Sequence, residues 1–175
     1  MRLFIALQPS ATFLTGLKDI QDQLRSAGVG GRYLAPDNLH LTLAFIGEWP
    51  VDITAMMPCI EEPFSLVLSD IGIFSRAKVL WAGVKPSEPL NALAAQIRQN
   101  LHNASIPYDP QPFNPHITLI RKPSLPGDTL PEIKVSPVSM TVKEVCLYQS
   151  EHTENGMRYT VIGRRQRTRE VEKSC

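Results

Sequence analysis

One eight-residue pattern, Pro-x-Asn-x-His-apolar-Thr-Leu, is written twice in the chain, as Pro36 to Leu43 (PDNLHLTL) and as Pro112 to Leu119 (PFNPHITL). Two of the four histidines therefore stand in matched local settings. Apolar residues would fill a strand interior better than a polar His and Thr, so packing does not account for such a duplicate. It reads as two halves of one site, and it demands a fold that brings two equivalent strands together.

The segments around the two copies repeat as well. Arg2 to Gln8 reads as a strand, followed by a helix with Phe13, Leu17, Ile20 and Leu24 at helical spacing, Ser10 as N-cap and Gly28 as stop. The glycines Gly28, Gly30 and Gly31 form a turn, and the first motif strand, Leu39 to Ile46, ends at Gly47. A short helix is expected over Asp52 to Glu61, then a half-exposed strand from Phe64 to Leu68 and another from Val79 to Val84. Ser87, Glu88 and Pro89 start a second helix through Leu90, Leu93, Ile97 and Leu101 to about Asn103. A proline-rich loop, Pro107 to Pro115, delivers the second motif strand, His116 to Ile120. After a surface loop from Pro123 to Pro131, Val138 to Tyr148 and Met157 to Ile162 form a last strand pair turning at Asn155-Gly156. The order strand, helix, motif strand occurs twice, which predicts an internally duplicated α+β fold. Residues 1–162 are expected to form one bilobal domain, and 163–175, charged in both signs and nearly free of apolar residues, an exposed tail.

With 175 residues such a chain buries a sufficient core without staples. Cys59, Cys146 and Cys175 are odd in number and in no metal-binding spacing, so they are expected to be reduced thiols. The opening MRLFIALQPS has too short an apolar run for a signal peptide, and no stretch reaches membrane-spanning length, which places the protein in the cytoplasm. A formal net charge of +1 excludes a protein that coats nucleic acid through many phosphates, so any RNA contact is confined to one small pocket.

On a strand, His40 and Thr42 share one face and Leu41 and Leu43 the other; the same holds for His116 and Thr118 against Ile117 and Leu119. If the two strands lie side by side about a pseudo-twofold axis, two imidazoles face each other across a cleft. One can take a proton while the other gives one, and the two hydroxyls can hold oxygens that gain charge in the transition state. That set suits phosphodiester displacement without a metal and predicts a bell-shaped rate profile near neutral pH. Acyl transfer would need a nucleophile beside its base, and no Gly-x-Ser-x-Gly elbow or Cys-His signature is present. Zinc is the chemical rival, but threonine is a poor third ligand, and Asp37, the residue that would complete such a site, has a simpler place in the turn before the strand. A single strand histidine bonded to backbone would be an ordinary core residue; a matched pair is not. Of the aromatics available to stack on a base, Tyr33, Phe45, Trp49, Phe74 and Trp81, Phe45 is expected in the core on the face opposite His40. His102, near a helix end, and His152, in a polar turn, are not expected to take part.

At these residues the sequence resembles the 2H phosphoesterase superfamily, defined by two His-x-Thr-x tetrads, here His40-Leu41-Thr42-Leu43 and His116-Ile117-Thr118-Leu119. It is most similar to the branch known as RNA 2′,3′-cyclic phosphodiesterases or 2′-5′ RNA ligases, through RLFIAL, PDNLHLTLAFIGE, VLWAGV and PHITLIR, so the likeness runs from Met1 to about Ile162. The resemblance implies a bilobal fold with antiparallel sheets flanking a central cleft. It implies a monomer without cofactor or metal that hydrolyses the 2′,3′-cyclic phosphate at RNA 3′ ends, tRNA included, to a 2′-phosphomonoester, with reversible 2′-5′ ligation as the same chemistry. By the family pattern His116 is the proton acceptor and His40 the proton donor, while Thr42, Thr118 and Arg121 bind the phosphate. Phosphodiester cleavage of 2′-5′ oligonucleotides or small cyclic nucleotides, or non-catalytic RNA-end binding, are the alternatives. Arg121 lies five positions after His116, so a regular strand would aim it away from the cleft; the strand must end or bulge before it.

Overall fold

Two capped helices anchor the architecture. In the computed structural model, which describes residues 1–167, the Ser10 hydroxyl accepts from the Phe13 amide (3.2 Å) to start helix α1, Ala11–Ser26. The Ser87 hydroxyl does the same for Leu90 (3.2 Å) at helix α2, Glu88–Asn103. Counted from their caps the helices bury the same positions: Phe13, Leu17, Ile20 and Leu24 in α1 match Leu90, Ala94, Ile97 and Leu101 in α2. The duplication foreseen in the order of elements thus extends to the side chains that fill the core.

The strands are β1 (Arg2–Leu7), β2 (Gly30–Tyr33), β3 (Leu41–Glu48), β4 (Phe64–Phe74), β5 (Val79–Val84), β6 (Ile117–Ser124), β7 (Ser139–Val142), β8 (Glu144–Thr153) and β9 (Gly156–Gln166). Every described pairing is antiparallel, in the order β7-β4-β5-β6-β3-β1-β8-β9 with β2 beside β6. The sheet is two lobes joined at a narrow seam, because β3 and β6 meet only through Leu41 and Ile117, the residues that follow the two motif histidines. A pseudo-twofold axis through that pair relates the halves. Each helix packs on the lobe that its own preceding strand does not belong to: α1 leaves β1 and lies against β7, while α2 leaves β5 and lies against β3. This exchange ties the lobes together where the sheet itself barely does.

Both motif strands carry a bulge at the same place. Along β1, Ala6 pairs with Thr42 and Ile5 with Ala44, which leaves Leu43 without a partner; along β5, Trp81 pairs with Thr118 and Leu80 with Ile120, which leaves Leu119 out. The burial patterns accordingly agree over the first five residues, with two consecutive buried residues, Leu43-Ala44 and Leu119-Ile120, where strict alternation would expose one. The carbonyl of Leu119, released from the ladder, accepts from the Leu34 amide (2.9 Å) and from Nε2 of Gln21 (3.1 Å), a buried side chain of α1 that also donates to the Leu34 carbonyl (3.0 Å).

Several expectations are corrected. The segment Asp52–Glu61 holds only a 3₁₀ turn at Thr54–Met56, since Pro58 cannot continue a helix. Residues 30–33, read as a turn, form strand β2, and the span from Val138 to Tyr148 is broken at Lys143 into β7 and β8, which sit at different places in the sheet. Strand β9 runs on to Gln166, where Arg164 and Arg165 pair with Cys146 and Val145, so the first part of the expected tail is sheet. The remainder of that tail, with Cys175, lies outside the described residues.

Candidate active site

The two bulges decide what faces the cleft. By shifting parity after the threonine, they return the residue five positions beyond each histidine to the histidine's own side. Arg121 therefore lines one cavity with His40, Thr42, His116 and Thr118, as the expected bulge required. So does Phe45, which corrects its expected place in the core: the bulge at Leu43 turns it into the cleft. The cavity has a volume of about 840 Å³ and lies across the β3–β6 seam.

Each imidazole is held from behind by the residue two positions earlier. Nδ1 of His40 lies 2.8 Å from the Asn38 carbonyl and Nδ1 of His116 lies 2.7 Å from the Asn114 carbonyl. A carbonyl only accepts, so in both rings Nδ1 carries the proton and the neutral ring keeps its lone pair on Nε2. The residue two positions before each histidine thus sets the tautomer through its backbone carbonyl. The first of these turns, Pro36–Asn38, is pinned to β9 by the Asn38 side chain, whose Nδ2 donates to the Met157 carbonyl (3.0 Å). Asp37, in that turn, does not line the cleft.

Aromatic walls fix the rings laterally. His40 packs against Phe4 (centroids 4.6 Å apart), which stacks on Tyr148, and meets Tyr159 edge-on at 5.1 Å. His116 meets Phe74 edge-on at 4.8 Å, and Phe74 rests on Trp81. Trp81 in turn lies over Gly72 of β4, where an added Cβ would run into the indole, and beside Gly83. Of the aromatics named from sequence, Phe45 and Phe74 reach the cleft, Tyr33 packs under Arg25, and Trp49 and Trp81 pack behind. His102 is exposed in the last turn of α2, and His152 is exposed near the end of β8 rather than in a turn.

Burial lowers both imidazoles. His40 falls from the ordinary 6.5 to about 4; desolvation is the main cause, the Asn38 hydrogen bond opposes it, and the charges of Arg121 and His116 add to it. His116 is lowered by desolvation too, against the Asn114 hydrogen bond. Both rings are therefore neutral at pH 7 in the free protein, and each becomes easier to protonate when an anion lies beside it.

Two arginines not singled out from the sequence also line the cleft: Arg76, in the β4–β5 turn, and Arg98, on α2. Arg98 donates from Nη1 to the Gln111 carbonyl (2.6 Å), and its guanidinium lies 5.8 Å from the Tyr108 ring centroid and 5.9 Å from that of Phe113. It stands eleven positions after the Ser87 cap, as Gln21 stands eleven after Ser10, so the two are counterparts under the pseudo-symmetry. Only that comparison of caps would have exposed Arg98 in the sequence, while the turn residue Arg76 leaves no such trace.

The model of the 2′-5′ RNA ligase superfamily matches residues 9–154. The chain belongs to this superfamily. An RNA 2′,3′-cyclic phosphodiesterase of Escherichia coli is 35% identical over 144 residues, covering 77% of this chain and 78% of the relative. One from Thermotoga maritima is 28% identical over 177 residues, covering 93% of each. Among solved structures, Escherichia coli LigT complexed with 3′-AMP superposes with a TM-score of 0.74 at 31% identity, covering 94% of this chain and 97% of that one. The bilobal α+β fold with its central cleft is thus the superfamily's own. No described helix is long and apolar enough to cross a membrane.

Proposed function

We propose that the protein is an RNA 2′,3′-cyclic phosphodiesterase. The observation that carries this reading is the pair of cleft-lining imidazoles, each fixed by an Nδ1 hydrogen bond to the i−2 carbonyl that leaves Nε2 free, with two threonines and Arg121 in the same cavity. Relatives that bear this activity in their names support it.

In the reaction the cyclic phosphate sits between the lobes, its oxygens held by the hydroxyls of Thr42 and Thr118 and by Arg121. His116 Nε2 takes a proton from water as the water oxygen bonds to phosphorus; the bond from phosphorus to O3′ breaks, and His40 Nε2 gives its proton to the departing oxygen. The products are a 2′-phosphomonoester and a free 3′-hydroxyl, and exchange with solvent restores both rings. His40, lowered to about 4 in the free protein, gains its proton once the phosphate anion lies beside it, so the substrate itself arms the acid. With an RNA 5′-hydroxyl in place of water the same steps give a 2′-5′ linkage. No group beyond the chain is called on, because the strained ring is already activated.

Both histidines come from one chain, so a monomer suffices, with the catalytic unit running from Met1 through the end of β9. Its place of action is the cytoplasm and its substrates are RNA 3′ ends carrying the cyclic phosphate, those of tRNA among them. The test is turnover of a short RNA with a 2′,3′-cyclic phosphate, in chelator, by wild type, His40→Ala and His116→Ala. Turnover by wild type and a loss of at least about a hundredfold in each variant are expected. Undiminished turnover in either variant refutes the two-histidine mechanism, and loss of wild-type turnover in chelator restores the metal alternative.

A further inference from the structure

Beside the cleft lies a second cavity, of about 650 Å³, lined by Ile73, Ser75, Lys78, Lys122, Ser124 and Asp128 among others. The two cavities share a wall. In the β4–β5 turn Arg76 and Ala77 face the cleft while Ser75 and Lys78 face this pocket, and in β6 Arg121 faces the cleft while Lys122 faces the pocket. Lys78 and Lys122 are tied by the Lys122 amide donating to the Lys78 carbonyl (2.8 Å).

The backbone here is strained. Four described non-glycine residues have left-handed φ, and three of them, Lys78 (53°), Lys122 (50°) and Asp128 (56°), line this one pocket. Lys78 closes a four-residue turn and Lys122 sits at a bulge opposite Gly31, positions at which glycine or asparagine is the low-energy choice. Lysine gains nothing there from its backbone, so its presence points to the side chain. Neither lysine forms an ion pair among the described residues, and one carboxylate against two ammonium groups leaves the pocket positive.

We infer that this pocket binds a backbone phosphate of the RNA on the 5′ side of the scissile nucleotide, an inference that rests on the cyclic phosphodiesterase reading. A cyclic phosphate closes the 3′ end of its strand, so everything else in the substrate leaves the cleft in the 5′ direction. Past Arg76 and Arg121 the strand crosses the β4–β5 turn and meets two ammonium groups and the hydroxyls of Ser75 and Ser124, a set suited to a phosphodiester as a point-charge ligand. The pocket thus makes the enzyme prefer a polynucleotide end to a single nucleotide.

The test compares adenosine 2′,3′-cyclic phosphate with a pentanucleotide ending in a 2′,3′-cyclic phosphate, using wild type and the double variant Lys78→Gly, Lys122→Gly. Glycine removes both charges and suits the left-handed backbone, so the variant should melt no lower than wild type. Its kcat/KM on the pentanucleotide should fall by roughly tenfold, the size of one charge-assisted contact, while turnover of the mononucleotide stays within about twofold. The slope of log KM against log salt for the pentanucleotide should weaken by about 0.7, the loss of one single-strand phosphate contact. Equal effects on the two substrates, an unchanged pentanucleotide, or a lower melting temperature overturns the assignment while leaving the phosphodiesterase intact. If wild type turns over neither substrate, the phosphodiesterase reading itself fails and the pocket assignment falls with it.

Discussion

Gln21 is a polar side chain in an otherwise apolar helix stripe, only 5% exposed, and its two amide hydrogens go to the carbonyls of Leu34 and Leu119. Leu119 is the bulged residue whose displacement turns Arg121 into the cleft. Gln21→Met keeps the volume and shape but removes both donors. Each buried hydrogen bond contributes about 1 kcal/mol net, and a carbonyl left without a partner costs a further 1 kcal/mol or more. Leu119 retains the Leu34 amide, so one carbonyl, that of Leu34, bears this penalty. The loss should therefore be about 3 kcal/mol in urea denaturation at unchanged m. Below the unfolding transition KM for the cyclic phosphate should rise more than kcat falls, because in the proposed mechanism Arg121 binds the phosphate and does not move a proton. Gln21→Glu should be worse at pH 8 than at pH 5, where a protonated carboxyl can still donate once. A Gln21→Met protein with wild-type kcat/KM refutes the claim that the helix holds the bulge for Arg121, whatever its stability.

The lowered imidazoles set the pH dependence. In the proposed mechanism one ring is protonated and the other neutral, and both titrate below 6.5 in the free protein, His40 at about 4, so kcat/KM should peak between those values instead of near neutrality. An optimum at pH 7 or above contradicts this. The same shift makes folding pH-dependent: the unfolded chain binds a proton at 6.5 that the folded His40 refuses until about 4, so stability is full above 6.5 and is lost as pH falls toward 4. At 1.36 kcal/mol for each pH unit the loss is about 3 kcal/mol at most, and His40→Asn should flatten it; parallel stability curves for the two proteins would sink the argument. Gly72→Ala places a methyl in the space of the Trp81 ring, which should cost about 1–3 kcal/mol and, through Phe74, misplace His116. Activity that survives while the Trp81 fluorescence shifts would show that His116 does not depend on that stack.

The repeated pattern made the seam, the two imidazoles and the two threonines legible before any coordinates, because strand alternation over three residues is robust. Alternation over five is not. Applied to Phe45 it failed, and applied to Arg121 it succeeded only because a bulge was demanded for it alone. A bulge is fixed by what receives the displaced carbonyl, here Gln21 from a helix 98 positions away, and nothing within the strand's own sequence announces that partner. Strand β2 was hidden for a related reason: its glycines suit a turn, and Gly31, at φ 121°, is in the sheet because Ile120 and the Lys122–Pro123 backbone of β6 leave no room for a Cβ there.

The pseudo-symmetry also explains how a duplicated site becomes an enzyme with a direction. The histidines, the threonines and the bulges are the same in both halves, so taken alone they would bind a phosphate in two opposite orientations equally well. The symmetry is broken at two linked positions. Five residues beyond the histidine one half has Arg121 and the other Phe45; eleven residues beyond the helix cap the assignment is crossed, with Gln21 supporting the strand of Arg121 and Arg98 on the side of Phe45. Arg121 and Arg98 thus enter the cleft from different elements, and Arg76 of the β4–β5 turn lines it as well. Arg121 lies in β6, the same strand as Thr118, whereas Arg98 donates from α2 to the Gln111 carbonyl. In the proposed reaction the phosphate settles against Arg121, the point at which the two halves differ. In the same proposed reaction this difference orients the nucleotide, and with it decides which imidazole meets water and which meets O3′.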